Sequence, residues 1–185
     1  SRIPQEGTLV LQRPDPDGPV ILRLSTLPTS RGEAMVVEVT PDLQGPRELG
    51  ALGLDPSDLP RVAGALAGGG LVLAVGPLGA GKGTLLRACL RHVARESERT
   101  AYTLDPAAEH EVPGAVTLRL NPEIHVTETN LLRCVLRTAD PDVVHVTLLR
   151  DLESGELIVD AAAAGRLLLA GMFAEDAPSA VLRLL

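Results

Sequence analysis

The stretch LVLAVGPLGAGKGTLLRACL, residues 71–90, decides the fold of this chain. Residues 71–75 are all aliphatic, which is typical of a parallel strand that is buried on both faces. A glycine-rich run follows at once, and the residues after it have the composition of a helix. This order places backbone N–H groups and the positive end of a helix dipole around one loop, where they bind phosphate groups. The sequence therefore predicts a phosphate-binding loop between a buried strand and a helix that extends to about Arg95.

The loop supplies most of the candidate nucleotide-binding residues. Lys82 is the only lysine among 17 basic residues, and a compact ammonium in a tight phosphate cradle is not interchangeable with a guanidinium. The residue after this lysine is normally Ser or Thr, whose hydroxyl ligates Mg²⁺. Here it is Gly83, so the usual magnesium ligand is missing. We predict that ATP or ADP is bound by Gly76, Gly79, Ala80, Gly81, Lys82, Gly83 and Thr84.

Outside the loop, short aliphatic runs alternate with helical segments. Such alternation predicts an α/β fold with a mostly parallel sheet that is covered by helices on both faces. The predicted strands are 71–75, 100–104, 143–147 and 167–171, and the other predicted helices are 58–67, 127–138, 155–165 and 177–185.

The first part of the chain has a different pattern. Residues 1–39 contain apolar strand-like runs separated by the turn PTSRGE, and residues 40–58 are rich in Pro, Gly and Asp, as in a linker. We therefore predict two parts, a small β-rich module with the start of a linker (1–44) and an α/β domain (45–185).

Composition disfavours several classes of function. The net charge of −7 makes nucleic acid a poor ligand, because binding it rests on neutralising phosphates with Lys and Arg. No apolar run approaches the roughly 20 residues that a membrane span needs. Cys89 and Cys134 lack the spacing of metal ligands, so no metal site is predicted. The chain starts at Ser1 without a Met, and we expect it to be part of a longer protein.

Several segments taken together resemble the ATPases that power type II secretion and type IV pilus assembly. The resemblance covers essentially the whole chain and follows that family's order of motifs. Besides the loop, the similar segments are SRIPQEG (1–7), LRLSTLPTSRGE (22–33), EHEVPGAVTLRLNPEI (109–124), LLRCVLRTADPDVVHV (131–146), LRDLESGELIVDAAAAGRLLL (149–169) and EDAPSAVLRLL (175–185).

This resemblance implies a RecA-like P-loop domain, incomplete at its C-terminus, that follows the last strands of a PAS-like β-rich module. It implies a cytoplasmic protein, peripheral at the inner membrane, that assembles as a hexamer or with an intact ATPase paralogue. Its partners would be other subunits of a secretion or pilus machine, with no nucleic acid and only indirect contact with the membrane.

Several catalytic positions of that family are altered here. The segment TLDPAAE (103–109) matches the family's acidic box and places Asp105 and Glu109 at its carboxylates. Leu148 stands where the family has the Walker B glutamate. Phe173 stands where the family has a histidine. These losses imply that hydrolysis is close to background, because a positioned acid or base typically contributes about 10²–10⁴ in rate.

The preceding module carries a further departure. The family has two arginines that reach phosphate from this module, and Arg23 matches the first, whereas Glu38 replaces the second. We predict a nucleotide-binding pseudo-ATPase with a structural or regulatory role. One open alternative is an active ATPase that uses Asp105, Glu109 or Asp151. Another is a phosphotransferase, since GAGKGT (79–84) also resembles the loop of nucleoside monophosphate kinases.

Two further features allow predictions. Arg87, Arg91, Arg95 and Arg99 recur every four residues and predict one charged helical face, which is solvent-exposed, a subunit contact or, as the third alternative, a nucleic-acid contact. His145 lies within the strand VVHVT, where we expect an interior or strand-edge residue whose hydrogen bonds are satisfied.

Overall fold

The computed structural model describes residues 3–11, 20–40, 48–96, 98–105, 111–120 and 126–184. The chain divides into two compact units, Ser1–Gly45 and Pro46–Leu185. The strands are β1 (Gln5–Leu11), β2 (Val20–Thr29), β3 (Gly32–Thr40), β4 (Gly70–Val75), β5 (Ala101–Leu104), β6 (Ala115–Leu118), β7 (Val143–Val146) and β8 (Leu167–Met172). The helices are α1 (Leu59–Ala67), α2 (Lys82–Glu96), α3 (Glu128–Thr138), α4 (Leu152–Ala163) and α5 (Ala177–Leu184), and a short 3₁₀ helix spans Leu49–Ala51.

The first unit is an antiparallel sheet in the order β1-β2-β3. A two-residue turn joins β2 to β3, and the Thr29 hydroxyl donates a hydrogen bond to the carbonyl of Gly32 at 3.0 Å. Gly32 has a φ of 127°, a conformation that residues with a side chain rarely adopt. In this register Arg23 lies directly opposite Glu38, so the two side chains are on the same face of the sheet.

The second unit is built on a five-stranded parallel sheet in the order β4-β8-β7-β5-β6. Along β8, Leu167 and Leu169 pack with residues of α1 and α2 on one face. Leu168 and Ala170 pack with residues of α3 and α4 on the other face. The predicted α/β fold, with a parallel sheet between helices after a small antiparallel sheet, is therefore confirmed.

The sequence analysis predicted four of the strands in this sheet and missed β6. This strand is only four residues long and lies at the edge of the sheet, beside β5. Its residues are partly or fully exposed, and its sequence Ala-Val-Thr-Leu is too short a run to be recognised as a strand by pattern alone.

The order of the strands determines which loops come together. Parallel strands end at the same edge of a sheet, and that edge is where ligands bind in open α/β folds. The loop after β4 thus lies beside the end of β8. Gly171 in β8 allows the chain after β7 to approach closely, because a Cβ at this position would lie 2.3 Å from the carbonyl oxygen of Thr147. The Leu149 N–H donates to the Gly171 carbonyl at 2.8 Å.

Over the part of the chain that the structure describes, no helix combines the length and the apolarity that crossing a membrane requires.

Candidate nucleotide-binding site

The glycine-rich loop, which the sequence predicts to bind phosphate, connects the end of β4 to the start of α2, which begins at Lys82. Gly79 and Gly81 have φ values of 77° and 84°, in the left-handed region where glycine carries no steric penalty. These two positions let the backbone curl toward the first turn of α2. The N–H groups of a helix's first turn have no partner within the helix. The loop therefore has the conformation and the donors that a phosphate cradle needs.

The Lys82 ammonium folds back onto its own loop. It donates hydrogen bonds to the carbonyls of Gly76 at 2.9 Å and Pro77 at 2.6 Å. It also lies 4.5 Å from the centroid of the Phe173 ring. Phe173 follows β8 directly, and β8 is the neighbour of β4, so the topology brings this ring to the loop. The sequence analysis treated Phe173 only as a lost histidine and missed this contact.

Gly83 lies in the first turn of α2 and supplies no hydroxyl. A Cβ added at Gly83 would lie 3.8 Å from both Nη1 and Nη2 of Arg87, one turn further along the helix. Arg87 Nη1 is in turn 3.4 Å from Asp105 Oδ2, and the Asp105 side chain is only 5% exposed. The position that normally holds the magnesium ligand thus points at a guanidinium that is paired with a buried carboxylate.

These residues do not fit a conventional magnesium site. Mg²⁺ is held by oxygen ligands, usually carboxylates or hydroxyls together with phosphate oxygens and water. Gly83 offers no side-chain oxygen, and the Asp105 carboxylate is paired with the Arg87 guanidinium. The described residues also contain no group of three His, Cys, Asp or Glu side chains that could hold a metal ion.

The carboxylates that the sequence analysis considered for catalysis differ in their surroundings. Asp105 directly follows β5 and is buried against Arg87. Glu109 lies outside the described residues. Asp151 caps α4, since its carboxylate accepts a hydrogen bond from the Ser154 N–H at 2.8 Å, and this bond lowers its pKa. Leu148, in the loop after β7, is half-buried.

A carboxylate that the sequence analysis missed is Glu128, in the first turn of α3. Burial raises its pKa to about 7; the charge of Arg150 acts in the opposite direction, whereas those of Asp151 and Asp105 add to the rise. A signal was present in the sequence, because Thr127 precedes an amphipathic helix as an N-cap and an acidic residue follows it. Thr127 does cap α3, accepting from the Asn130 N–H at 3.3 Å.

The predicted arginine face is only partly exposed, since the Arg95 side chain is 57% exposed whereas those of Arg87 and Arg91 are 24% and 26% exposed. Arg91 and Arg95 contact the same oxygen of Glu48, at 3.0 and 2.5 Å. Arg99 lies after the end of α2 and donates to the carbonyl of Leu66 at 3.0 Å and to that of Ala67. Together with the Arg87–Asp105 pair, these contacts show that all four arginines bind other parts of the second unit.

The prediction for His145 was partly correct. The residue is completely buried in β7, and its Nδ1 lies 2.7 Å from the hydroxyl of Thr103 on the adjacent strand β5. Its Nε2 is buried with no hydrogen-bond partner among the described residues. Burial lowers the pKa of His145 to about 4, with Asp105 opposing this shift and Arg87 adding to it. The ring is therefore neutral at physiological pH, which suits its interior position.

The chain has clear relatives among known proteins. The family model described as type II/IV secretion system protein matches residues 1–185. The type II secretion system protein HxcR of Pseudomonas aeruginosa is 35% identical over 184 residues, which cover 99% of this chain and 38% of HxcR. The type IV pilus assembly ATPase PilB of Thermus thermophilus is 34% identical over 184 residues, which cover 99% of this chain and 20% of PilB.

A solved structure supports the fold independently. The ATPase DotB of Legionella pneumophila aligns with a TM-score of 0.74 at 21% identity, over 99% of this chain and 51% of DotB. The chain spans only part of each of these proteins.

Proposed function

Because the chain belongs to the type II/IV secretion system protein family, we propose that it is a nucleotide-binding motor-type domain of a secretion or pilus assembly system that has lost most ATP hydrolysis. The family membership confirms the resemblance predicted from the sequence. The observation that carries the proposal is that the loop keeps its lysine and its glycine geometry while Gly83 and Leu148 lack the groups that hydrolysis needs.

Binding depends on groups that this chain retains. The backbone N–H groups of residues 79–84 and the Lys82 ammonium are the candidate contacts to the phosphates of ATP or ADP. The Lys82 ammonium donates to the carbonyls of Gly76 and Pro77, so a phosphate competes with these two acceptors for it. The resemblance to the family also implies a contact from Arg23, but Glu38 lies opposite it in the sheet and offsets its charge, so we expect Arg23 to add little to the affinity.

Hydrolysis depends on groups that are either replaced in this chain or already paired with another side chain. Leu148 offers no carboxylate to polarise a water molecule, and Asp105 is buried beside Arg87. Losing one positioned base typically lowers the rate by about 10²–10⁴. We therefore expect hydrolysis close to background even where nucleotide is bound.

One observation favours a second candidate, an active ATPase with rearranged groups. The pKa of Glu128 is raised to about 7, and a general base is most effective when its pKa is near the working pH. Glu128 is the first residue of α3, and the charges of Asp151 and Asp105 contribute to the rise of its pKa. In this candidate Glu128, rather than Asp105, would activate the attacking water.

Two measurements separate these candidates. A thermal-shift titration with ADP or ATP tests binding, and a ligand at 100 times its Kd stabilises a protein by about 2.7 kcal/mol. Phosphate release is then measured on the wild type, Lys82→Ala and Glu128→Gln. Background release in all three, with a nucleotide-induced shift that Lys82→Ala abolishes, supports the pseudo-ATPase. Release that both substitutions remove supports the active enzyme, and no shift with either nucleotide contradicts both.

We also propose the cellular location and the assembly of this chain from its membership of the family. The names of PilB and HxcR describe a pilus assembly ATPase and a type II secretion protein. We place this chain in the cytoplasm, peripheral at the inner membrane, as a member of a hexameric ring or a partner of an intact ATPase paralogue. Size-exclusion chromatography with light scattering, with and without nucleotide, tests the assembly.

A further inference from the structure

We propose that the Arg87 guanidinium takes the place of magnesium in this site, so that the domain binds ATP or ADP without a divalent cation. This inference rests on the proposed nucleotide-binding function. It assigns to Arg87 a direct contact with phosphate oxygens on the side of the loop where Mg²⁺ normally sits.

The position of Arg87 is the first step. In loops of this kind, the residue after the lysine directs a hydroxyl at the magnesium ion. In this chain, a side chain at Gly83 would point at Arg87, since both terminal nitrogens lie 3.8 Å from the place of its Cβ. A positively charged group therefore lies close to where the metal would be. Because Gly83 has no side chain, no hydroxyl lies between its backbone and the guanidinium.

The anchoring of Arg87 is the second step. Its Nη1 lies 3.4 Å from Asp105 Oδ2, and its side chain is 24% exposed. A guanidinium has five N–H donors in a rigid planar fork that matches phosphate oxygens. One edge can thus remain on Asp105 while the other donates to a ligand. Asp105, at the end of β5, would be a metal ligand in a site lined by oxygen atoms. Here it pairs instead with the Arg87 guanidinium, which in this proposal replaces the metal.

Charge is the third step. The phosphates of a nucleotide need positive charge near them, and Lys82 and Arg87 both lie in the first two turns of α2. A divalent cation beside Arg87 would be repelled by the guanidinium, at short range in a partly buried site. Mg²⁺ is therefore expected to be unnecessary for binding and to add little to it.

The test compares nucleotide affinity with and without metal. ADP is titrated calorimetrically into the wild-type chain, once in excess EDTA and once in excess Mg²⁺. We expect the two Kd values to agree within about threefold, which is much less than the change expected if nucleotide binding required Mg²⁺. Tighter binding in Mg²⁺ by about tenfold or more would overturn the inference and leave the proposed nucleotide binding intact. Absence of binding under both conditions would overturn both.

Variants identify the residue responsible. Arg87→Gln is expected to weaken ADP binding in EDTA by about tenfold or more, because a charge-assisted contact with phosphate is lost. Arg91→Gln is the matched control, since Arg91 lies one turn further on α2, is 26% exposed and contacts Glu48 instead. Equal effects of the two substitutions would show that Arg87 only joins α2 to β5, and would overturn the inference. If Arg87→Gln does not fold, the inference is still tested by Arg87→Lys and by the comparison of wild-type ADP affinity in EDTA and in Mg²⁺.

Discussion

At the scale of single residues, the Lys82 ammonium already has partners before any nucleotide is bound. Two carbonyls of its own loop accept its hydrogen bonds, and the Phe173 ring lies against it. A phosphate has to compete with all three contacts. Phe173 is therefore more than a missing histidine, because it stabilises the ligand-free position of the lysine.

Phe173→Leu is expected to bind ADP about two- to fivefold more tightly than the wild type. A cation–π contact at a partly exposed site contributes roughly 0.5–1 kcal/mol, and here it stabilises only the state without ligand. Calorimetric titration measures the change. Val181→Ala on α5 is the control, since Val181 is also an exposed apolar residue near this end of the chain. Weaker binding by Phe173→Leu would mean that the ring contacts the nucleotide itself.

The Glu128 carboxyl makes stability depend on pH. Its pKa is about 7 in the folded chain, against 4.5 as the ordinary value. Between these values the unfolded chain has lost this proton while the folded chain keeps it. The free energy of unfolding therefore falls as pH rises through this window and stays reduced above it.

Glu128→Gln removes this penalty. We expect the variant to be more stable than the wild type by about 1–3 kcal/mol at pH 8 and nearly equal to it at pH 4.5, since one pKa unit corresponds to about 1.4 kcal/mol. Urea denaturation at the two pH values measures the difference. Glu153→Gln on α4, where the carboxylate pairs with Arg133, is the control and should not be stabilised at pH 8. A difference that is the same at both pH values would contradict the assignment to this titration.

At the scale of elements, α2 joins the loop to the rest of its unit. It begins at Lys82, and its following turns carry Arg87 toward Asp105 and two further arginines toward Glu48. Glu48 directly precedes the 3₁₀ helix Leu49–Ala51, whose Leu49 belongs to the same apolar cluster as α2. One carboxylate thus fixes the far part of α2 onto the start of the unit.

Glu48→Gln is expected to lower the free energy of unfolding by about 0.5–1.5 kcal/mol, because two partly exposed ion pairs lose their negative partner. The loss should shrink in 1 M salt, where charges are screened within about 3 Å. Urea denaturation at low and high salt measures both effects. An equal loss at the two salt concentrations would show that Glu48 acts through packing rather than charge.

What the sequence predicts well here is local. Short, mostly apolar runs identified β4, β5, β7 and β8, and the glycine-rich loop was placed correctly between β4 and α2. The contacts that characterise the site join residues far apart in the chain. Arg87 and Asp105 are 18 positions apart, and Phe173 meets Lys82 only because β8 lies beside β4. No spacing rule contains that order of strands, so the sequence did not predict the arginine contacts with Asp105 and Glu48 or the contact of Phe173 with Lys82.

At the scale of the whole molecule, the two units differ in how much core they contain. Both apolar clusters of buried residues lie between Leu49 and Leu184, within the second unit. Among the described residues of the first unit, Val20 and Ile21 are the buried apolar side chains, whereas Met35, Val36 and Val39 of β3 are exposed. A small sheet with so little burial is marginal in water by itself.

A chain of residues 46–185 is therefore expected to fold alone with cooperative unfolding, whereas residues 1–45 alone are expected to be unfolded by circular dichroism. The larger fragment should bind ADP within about threefold of the intact chain, because Glu38 lies opposite Arg23 in the sheet and offsets its charge. Arg23→Gln in the intact chain separates the loss of this arginine from the loss of its unit. A tenfold loss in both proteins would instead establish Arg23 as a phosphate contact, as the resemblance to the secretion ATPases implies.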